Sequence, residues 1–522
     1  MGGAGAGGRG APGGTCRGRR RPGGGGRPVT SRRQGRLVVA PGIDRLNVVR
    51  WTSGRLSAIR RRRAAPGAPI GGPARCRRVR ESCPGEGPGT RPGFRTPQVA
   101  RRPRSDMTDE HRRVPDAVVI GAGLAGLACA LDLSRAGHRV ALLEASDAVG
   151  GRMRTDRRDG FLLDRGFQVF NTSYPQVKPR LDMKDLRLRP FTAGIVAHTP
   201  KGPARLADPT RERGAVGNLL PGRVLSARDL AALATLTAGD AVLPAAVVRR
   251  HREGSTAAAL TRAGVSDTAI DDILRPFLSG VFLEDRMETS ARFFHLIWRS
   301  MVRGTLCLPA AGIGAVPAQL AEGLPDGVLR RDTPVEEITD EGVLLRGGGE
   351  VPARTVVVAT DPATAARLLP GLTVPDGRTV TTYYHATDRT PMAEPTLMVD
   401  STGTILNTCV LSEVAPGYAP PGTALISTSV LGTDPPGRAQ AVLRRLAGLY
   451  GADTSGWQQI AAHTVEGALP AMLPPWPLSR TTRLGPGRYV CGDHRATGSV
   501  QGALASGARA AREVSADLGR QG

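Results

Sequence analysis

Gly121, Gly123 and Gly126 stand at G-x-G-x-x-G spacing, and a carboxylate, Glu144, follows about 20 residues on. Glycines so spaced serve phosphate chemistry. The first permits a tight turn, the second lets backbone approach a pyrophosphate, and the third lets a helix pack closely on a strand. A carboxylate at that distance accepts hydrogen bonds from ribose hydroxyls and repels a 2′-phosphate. The pattern points to a dinucleotide lacking that phosphate.

The flanking residues supply the elements such a grip needs. Ala117 to Ile120 is an apolar run that reads as a short buried strand ending where the glycines begin. Leu124, Leu127, Ala128, Leu131 and Ala136 follow at helical spacing, and Gly137 stops the helix. A second apolar run, Val140 to Leu143, ends at Glu144. The helix start presents free N–H groups, at Leu124 and Ala125 among others, and the positive end of its dipole to phosphate. Beyond the acid come Ala145, a second close-approach turn at Gly150 and Gly151, and Arg152, whose guanidinium is placed to pair with a phosphate oxygen.

These residues carry a family resemblance. LLEASDAVGGRMRT, residues 142 to 155, is similar to the E-A-x-x-x-x-G-G-R stretch of the FAD-dependent amine oxidase superfamily, which includes monoamine and polyamine oxidases, protoporphyrinogen oxidases and carotenoid desaturases. The far end matches too. YVCGDHRATGSVQGALASG, residues 489 to 507, resembles the family's second flavin motif. The resemblance implies that Asp493 meets the ribityl and pyrophosphate region, with Gly492, Gly498, Ser499, Val500 and Gln501 as further contacts. It implies that the helix after them points its positive end at the flavin ring. Two weaker matches lie between. PAAGIGAVPAQLAEGL (309 to 324) resembles the turn and helix leading back to the flavin domain, and Thr333 to Ile338 resembles the strand whose Val335 meets adenine through its backbone. TVVVATDPATAARLLP (355 to 370) resembles the strand and turn that follow, with Asp361 where Gly is commoner.

The fold expected is α/β: a Rossmann-like FAD-binding domain interleaved with an α+β substrate domain. The flavin domain takes 115 to 180, 306 to 370 and 471 to 520. The substrate domain takes a helical part, 181 to 305, and an antiparallel sheet, 371 to 470, where TVTTYYHA, TLMVD, TILNTCVLS and TALISTSVL alternate as strands do. Tyr383 and Tyr384 are adjacent in one such strand, so only one can face a cavity. His494 reads as loop surface, with a place facing the flavin or substrate as the alternative, and apolar helical faces read as core before substrate wall.

Only one dinucleotide fingerprint occurs, so a bound flavin is reduced by the substrate itself, as in an oxidase or dehydrogenase. The resemblance implies hydride transfer to flavin N5 from an apolar or amine-type small molecule. No residue of the chain is assigned as catalytic. Amine oxidases proper bridge a lysine through water to N5, but the lysines here are Lys178, Lys184 and Lys201, too early for that place. They also set aromatic residues beside the flavin, where this chain has His494, Arg495, Ala496 and Thr497. The protoporphyrinogen-oxidase-like and desaturase-like branch, which lacks both features, is the better match. Cys409 and Cys491 are outside a flavin-linking context, so noncovalent FAD is expected.

The chain has 522 residues and a formal charge of +25. Residues 1 to 106 hold 25 Arg, no Lys and four acids, and so carry +21 of it. The basicity belongs to a Gly/Arg-rich extension with almost no periodic apolar pattern, expected to be disordered. The alternative function is a nucleic-acid binder armed by this extension, with a vestigial flavin fold. Arg outnumbers Lys 68 to 3, as in a GC-rich coding sequence whose upstream frames stay open, and Met107 leads straight into the first strand. We therefore expect Met107 to be the natural start, and no nucleic acid on the folded body. Seven scattered Cys show no metal-ligand spacing, so no metal is expected and a cytoplasmic, reducing compartment is. No window has the apolar length of a membrane-spanning helix. Oligomeric state is not legible in the sequence.

Overall fold

The computed structural model describes residues 114 to 521 apart from 209 and 213 to 224. The extension of residues 1 to 106, and Met107 with it, lies outside the described residues.

A six-stranded sheet holds the glycine motif. Ala117–Ile120 lies parallel between Val140–Leu143 and Thr355–Val358, and all three strands are fully buried. Such continuous apolar runs are what a sheet covered on both faces requires. Leu329–Arg330 adds a parallel strand outside Val140–Leu143. Arg488–Val490 and the antiparallel edge Arg483–Gly485 extend the other side. Strands from near residues 120, 143, 330, 358 and 490 thus share one sheet.

Alternation along these strands divides the core in two. Val118, Ile120, Val356 and Val358 point to one face, where a small antiparallel sheet of Val335–Ile338, Gly342–Leu345 and Glu350–Pro352 covers them. Ala117, Val119 and Val357 point to the other, under the helices Leu124–Arg135 and Val500–Gln521. Those helices approach closely: a Cβ at Gly507 would overlap the Ala125 carbonyl oxygen.

A seven-stranded sheet forms the second half. Its order is Gln458–Pro470, Gly377–Thr387, Ala424–Leu431, Asn407–Val410, Leu397–Asp400, Gly194–Thr199 and Gly202–Ala207. The helices Arg275–Phe282 and Ala291–Arg303 pack over it, and Ile273, Leu278, Phe293 and Phe294 share a core with Ala197 and Val399 from the strands.

Two expectations need correction. Residues 181 to 305 were expected to be helical, but a hairpin, Gly194–Thr199 with Gly202–Ala207, sits among them as the sheet's edge. Its strands mix polar and apolar residues without strict alternation because half their side chains are only partly buried. The sheet expected to be antiparallel has one parallel pairing, Leu397–Asp400 with Gly194–Thr199, since the hairpin arrives from an earlier crossover.

Candidate flavin site

One continuous cavity of about 850 Å³ runs between the two halves. Its wall includes Gly121, Gly123, Leu124, Ala125, Glu144, Ala145, Gly150, Gly151, Arg152 and Val335. It also includes Gly492, Asp493, Gly498, Ser499 and Val500, so both sequence motifs border the same space.

At one end the first strand turns into its helix through Gly121, at φ +98°, a conformation that L side chains rarely adopt. No side chain caps the helix Leu124–Arg135, which starts after Gly123, so its first N–H groups face the cavity without a side-chain acceptor. Glu144, 8% exposed, takes the Ala122 N–H at 2.6 Å on one oxygen and the Ser146 N–H at 2.9 Å on the other. Its lone pairs not used by these amides are open to a ligand in the cavity. Gly150 donates its N–H to the Ala122 carbonyl at 2.9 Å, which ties the second glycine turn to the first.

At the other end, Asp493 is 5% exposed and forms an ion pair with Arg152 at 2.8 Å. Arg152 also donates to the Ala468 carbonyl at 2.8 Å. Burial would disfavour the guanidinium cation, but the Asp493 charge outweighs it and holds Arg152 protonated. The sequence reading paired Arg152 with a phosphate oxygen. In the structure its partner is Asp493, so the salt bridge joins the two motifs directly.

Gly126 is not on the wall. A Cβ there would overlap the Gly121 carbonyl oxygen, so its role is the close helix–strand packing expected of the third glycine. Gln501 is off the wall as well, contrary to expectation: it is the second residue of its helix, and its amide oxygen accepts the Gln176 N–H at 2.9 Å. His494 is buried, at 1% exposure, not on a loop surface. Neither ring nitrogen has a partner, and burial lowers its pKa to about 4. Neither tyrosine of the Tyr383–Tyr384 pair reaches the cavity. The Tyr384 hydroxyl donates to the Asp164 carbonyl at 2.6 Å, and that of Tyr383 to Asp434. Cys409 and Cys491 are buried free thiols, neither on the wall.

Sequence reasoning missed what Asp164 and Asp361 do. The buried Asp164 carboxylate accepts hydrogen bonds from Thr155 Oγ1 at 2.5 Å, Ile313 N at 2.9 Å and Tyr418 Oη at 3.0 Å. It pins the turn before the helix Ala315–Glu322 to the substrate half, and burial pushes its pKa up to about 6 despite those donors. Its only sequence signal was an acid inside the apolar run FLLD. Asp361 caps the helix Pro362–Leu368 through the Thr364 N–H at 3.0 Å, a role its place before a proline could have suggested.

Beyond the motifs the cavity continues as a chamber between apolar walls. Phe277, Gly280 and Val281 from the first covering helix, and Phe293, Ile297 and Met301 from the second, recur at helical spacing along its roof. The sequence reading had favoured core for these faces, but several of their residues line the space. The sheet contributes Val380, Leu397, Asn407, Ser429, Val465 and Leu469. None of these twelve residues is charged.

Among the described residues no helix is long and apolar enough to cross a membrane, and no group of His, Cys, Asp and Glu is placed to hold a metal.

Comparison with known proteins agrees with this architecture. The family described as flavin containing amine oxidoreductase matches residues 124 to 515. An L-amino-acid oxidase of Crotalus adamanteus is 41% identical over 75 residues, 14% of either chain. A coproporphyrinogen III oxidase of Bacillus subtilis is 29% identical over 195 residues, 34% of this chain and 38% of that protein. The matches thus span well under half the length of either relative. The solved cyclohexylamine oxidase of Brevibacterium oxydans shares the fold at a TM-score of 0.58 and 16% identity, covering 78% of this chain and 100% of that one. The flavin reading is carried by these matches, and none of them speaks for the nucleic-acid alternative.

Proposed function

The chain belongs to the flavin containing amine oxidoreductase family, an FAD-dependent oxidoreductase by that membership, and we propose that it oxidises an uncharged, largely apolar small molecule held in the chamber. FAD, when bound, supplies the hydride acceptor. The residues fit it: turns at Gly121 and Gly150 where a Cβ would crowd backbone, an uncapped helix N-terminus and a carboxylate with lone pairs to spare border one end of a cavity that also holds the ion-paired Asp493.

In this reading Gly121, Gly123, Leu124 and Ala125 give backbone N–H groups to the pyrophosphate, with Gly150 and Gly151 approaching it from the second turn. Glu144 receives the adenosine ribose hydroxyls, Ala145 and Val335 border the adenine, and Asp493, oriented by Arg152, receives the ribityl hydroxyls. Gly492, and Gly498, Ser499 and Val500 at the start of the last helix, would border the ring, and the helix dipole favours negative charge there. The roof helices exclude water and press the substrate towards the cofactor.

The observation that carries the substrate class is the absence of charge among the twelve roof and sheet residues of the chamber, beside which Arg165 is already paired with Asp156. An α-amino acid would bring a carboxylate that these walls cannot pair, and desolvating it unpaired is strongly unfavourable. The match to an L-amino-acid oxidase spans 75 residues, 14% of that protein, too short a share to carry its substrate over to this chain. A porphyrinogen, suggested by the Bacillus relative, would have to keep its carboxylates outside the chamber. The buried free thiols suit a reducing cytoplasm.

The test is anaerobic mixing of the FAD-loaded protein with polyenes, porphyrinogens, neutral cyclic amines and amino acids, read as flavin bleaching. We expect an uncharged apolar compound to bleach it and leucine to leave it yellow. Bleaching by leucine alone would contradict the proposal.

A further inference from the structure

Among the twelve roof and sheet residues of the chamber, one has a polar side chain that no described residue satisfies. Asn407 is 6% exposed and borders the cavity, yet its carboxamide has no hydrogen-bond partner among the described residues. It faces Ser429 across the sheet, since the two are register partners on neighbouring strands. Ser429 in turn is the register partner of Thr382. The three side chains form a polar row across a sheet face that is otherwise apolar at Leu397, Val380 and Val465.

Proton accounting shows where the row is open. Thr382 Oγ1 accepts the Phe167 N–H at 3.3 Å and is 3.2 Å from Ser429 Oγ. One of these two hydroxyls donates to the other, so one hydroxyl proton of the pair stays uncommitted, and with Thr382 as donor it is that of Ser429, which borders the chamber. Asn407 adds two donors and an acceptor oxygen beside it. The helix above leaves the amide room only because residue 280 is glycine. A Cβ there would stand 2.7 Å from the Asn407 Nδ2. A buried amide without a partner is unfavourable, and a ligand that supplies one recovers that loss.

We propose that Asn407 and Ser429 form a hydrogen-bonding subsite that recognises a neutral carbonyl or hydroxyl on the substrate and so fixes which face and atom of it meet the cofactor. This rests on the chamber being the substrate site. The ligand class is an apolar ring system carrying one uncharged hydrogen-bonding group. A carboxylate is disfavoured because Arg165, the cation on the wall beside Phe167, is already paired with Asp156, and a pure hydrocarbon because it leaves the amide unpaired.

The experiment titrates the FAD-loaded protein with 1-indanone and with indane, two bicyclic probes differing in a carbonyl, and reads the flavin difference spectrum. Wild type should bind indanone at least about tenfold more tightly than indane, the worth of one well-made hydrogen bond. Asn407→Leu should bring that ratio to about one, and Ser429→Ala should lower it by less. In the unliganded protein Asn407→Leu should leave Tm unchanged or raise it, because the amide it removes bonds to nothing. Equal binding of the two probes by wild type, binding of neither, or a preference that survives both substitutions would overturn the subsite. So would a lowered Tm in Asn407→Leu, which would make the amide structural. Wild-type protein that takes up no FAD would instead sink the functional reading beneath, and the subsite with it.

Discussion

Two backbone N–H groups restrain the Glu144 carboxylate, so in the proposed role it would meet a ribose already oriented and lose little side-chain entropy in doing so. Glu144→Ala should weaken FAD binding by about 1.5–3 kcal/mol, the usual worth of hydrogen bonds to a charged group. Fluorescence titration of the apoprotein checks this, and unchanged affinity would show the acid misassigned. Asp493 has a different job, since it also neutralises Arg152. Asp493→Ala leaves that half-buried cation facing a neutral wall, so the loss should exceed that for Glu144→Ala and should be partly restored by Arg152→Gln in the double variant. Additive losses would mean that the pair does not act as a unit. At this scale most of the site was legible in the sequence, because its glycines and acids are tied to fixed spacing. Asn407, Asp164 and the burial of His494 were not, since each depends on which distant segment lies opposite.

Elements position these residues through close backbone approaches that only glycine allows. The first helix meets its own strand at Gly126 and the last helix at Gly507. Gly507→Val should push the two helices apart and tilt the start of the last one, where Ser499 and Val500 border the cavity. We expect a destabilisation of about 1–3 kcal/mol or more, as for overpacking. The flavin content should fall in step, measured by denaturant unfolding and by absorbance. Wild-type stability would show that the helices are not in tight contact. The strand and helix around the glycine motif were legible because their apolar periods are unbroken. The hairpin of residues 194 to 207 was hidden because an edge pair, half exposed, need not alternate cleanly. The role of the roof helices was hidden for a related reason: a face against a cavity and a face against a core carry the same residues.

On the scale of the whole molecule, chain segments hundreds of residues apart are held together by buried polar groups, and these set its response to acid. Burial lowers the pKa of His385 and of His494 to about 4. For both, the unfolded chain binds more protons than the folded one between about pH 6.5 and 4, so stability falls as pH falls through that window, by up to about 3 kcal/mol for each. Asp164 works in the opposite direction. Its carboxyl is raised to about 6, so the folded state gains stability as pH falls from 6 towards 4, by about the same amount for one group. The net is an acid-labile protein, and His494→Gln should unfold less readily at pH 4.5 relative to pH 7.5 than wild type does. Urea midpoints at the two pH values decide this, and an unaltered difference would show that His494 titrates normally.

The central claim is that Glu144 and Asp493, 349 residues apart in the chain, border one cavity that holds one FAD. The most direct measurement is the stoichiometry and affinity of FAD for the wild-type apoprotein and for Glu144→Ala and Asp493→Ala. The account predicts one FAD per chain, and weaker binding in each variant. A chain that takes up no FAD, or one whose affinity is untouched by Asp493→Ala, would contradict it.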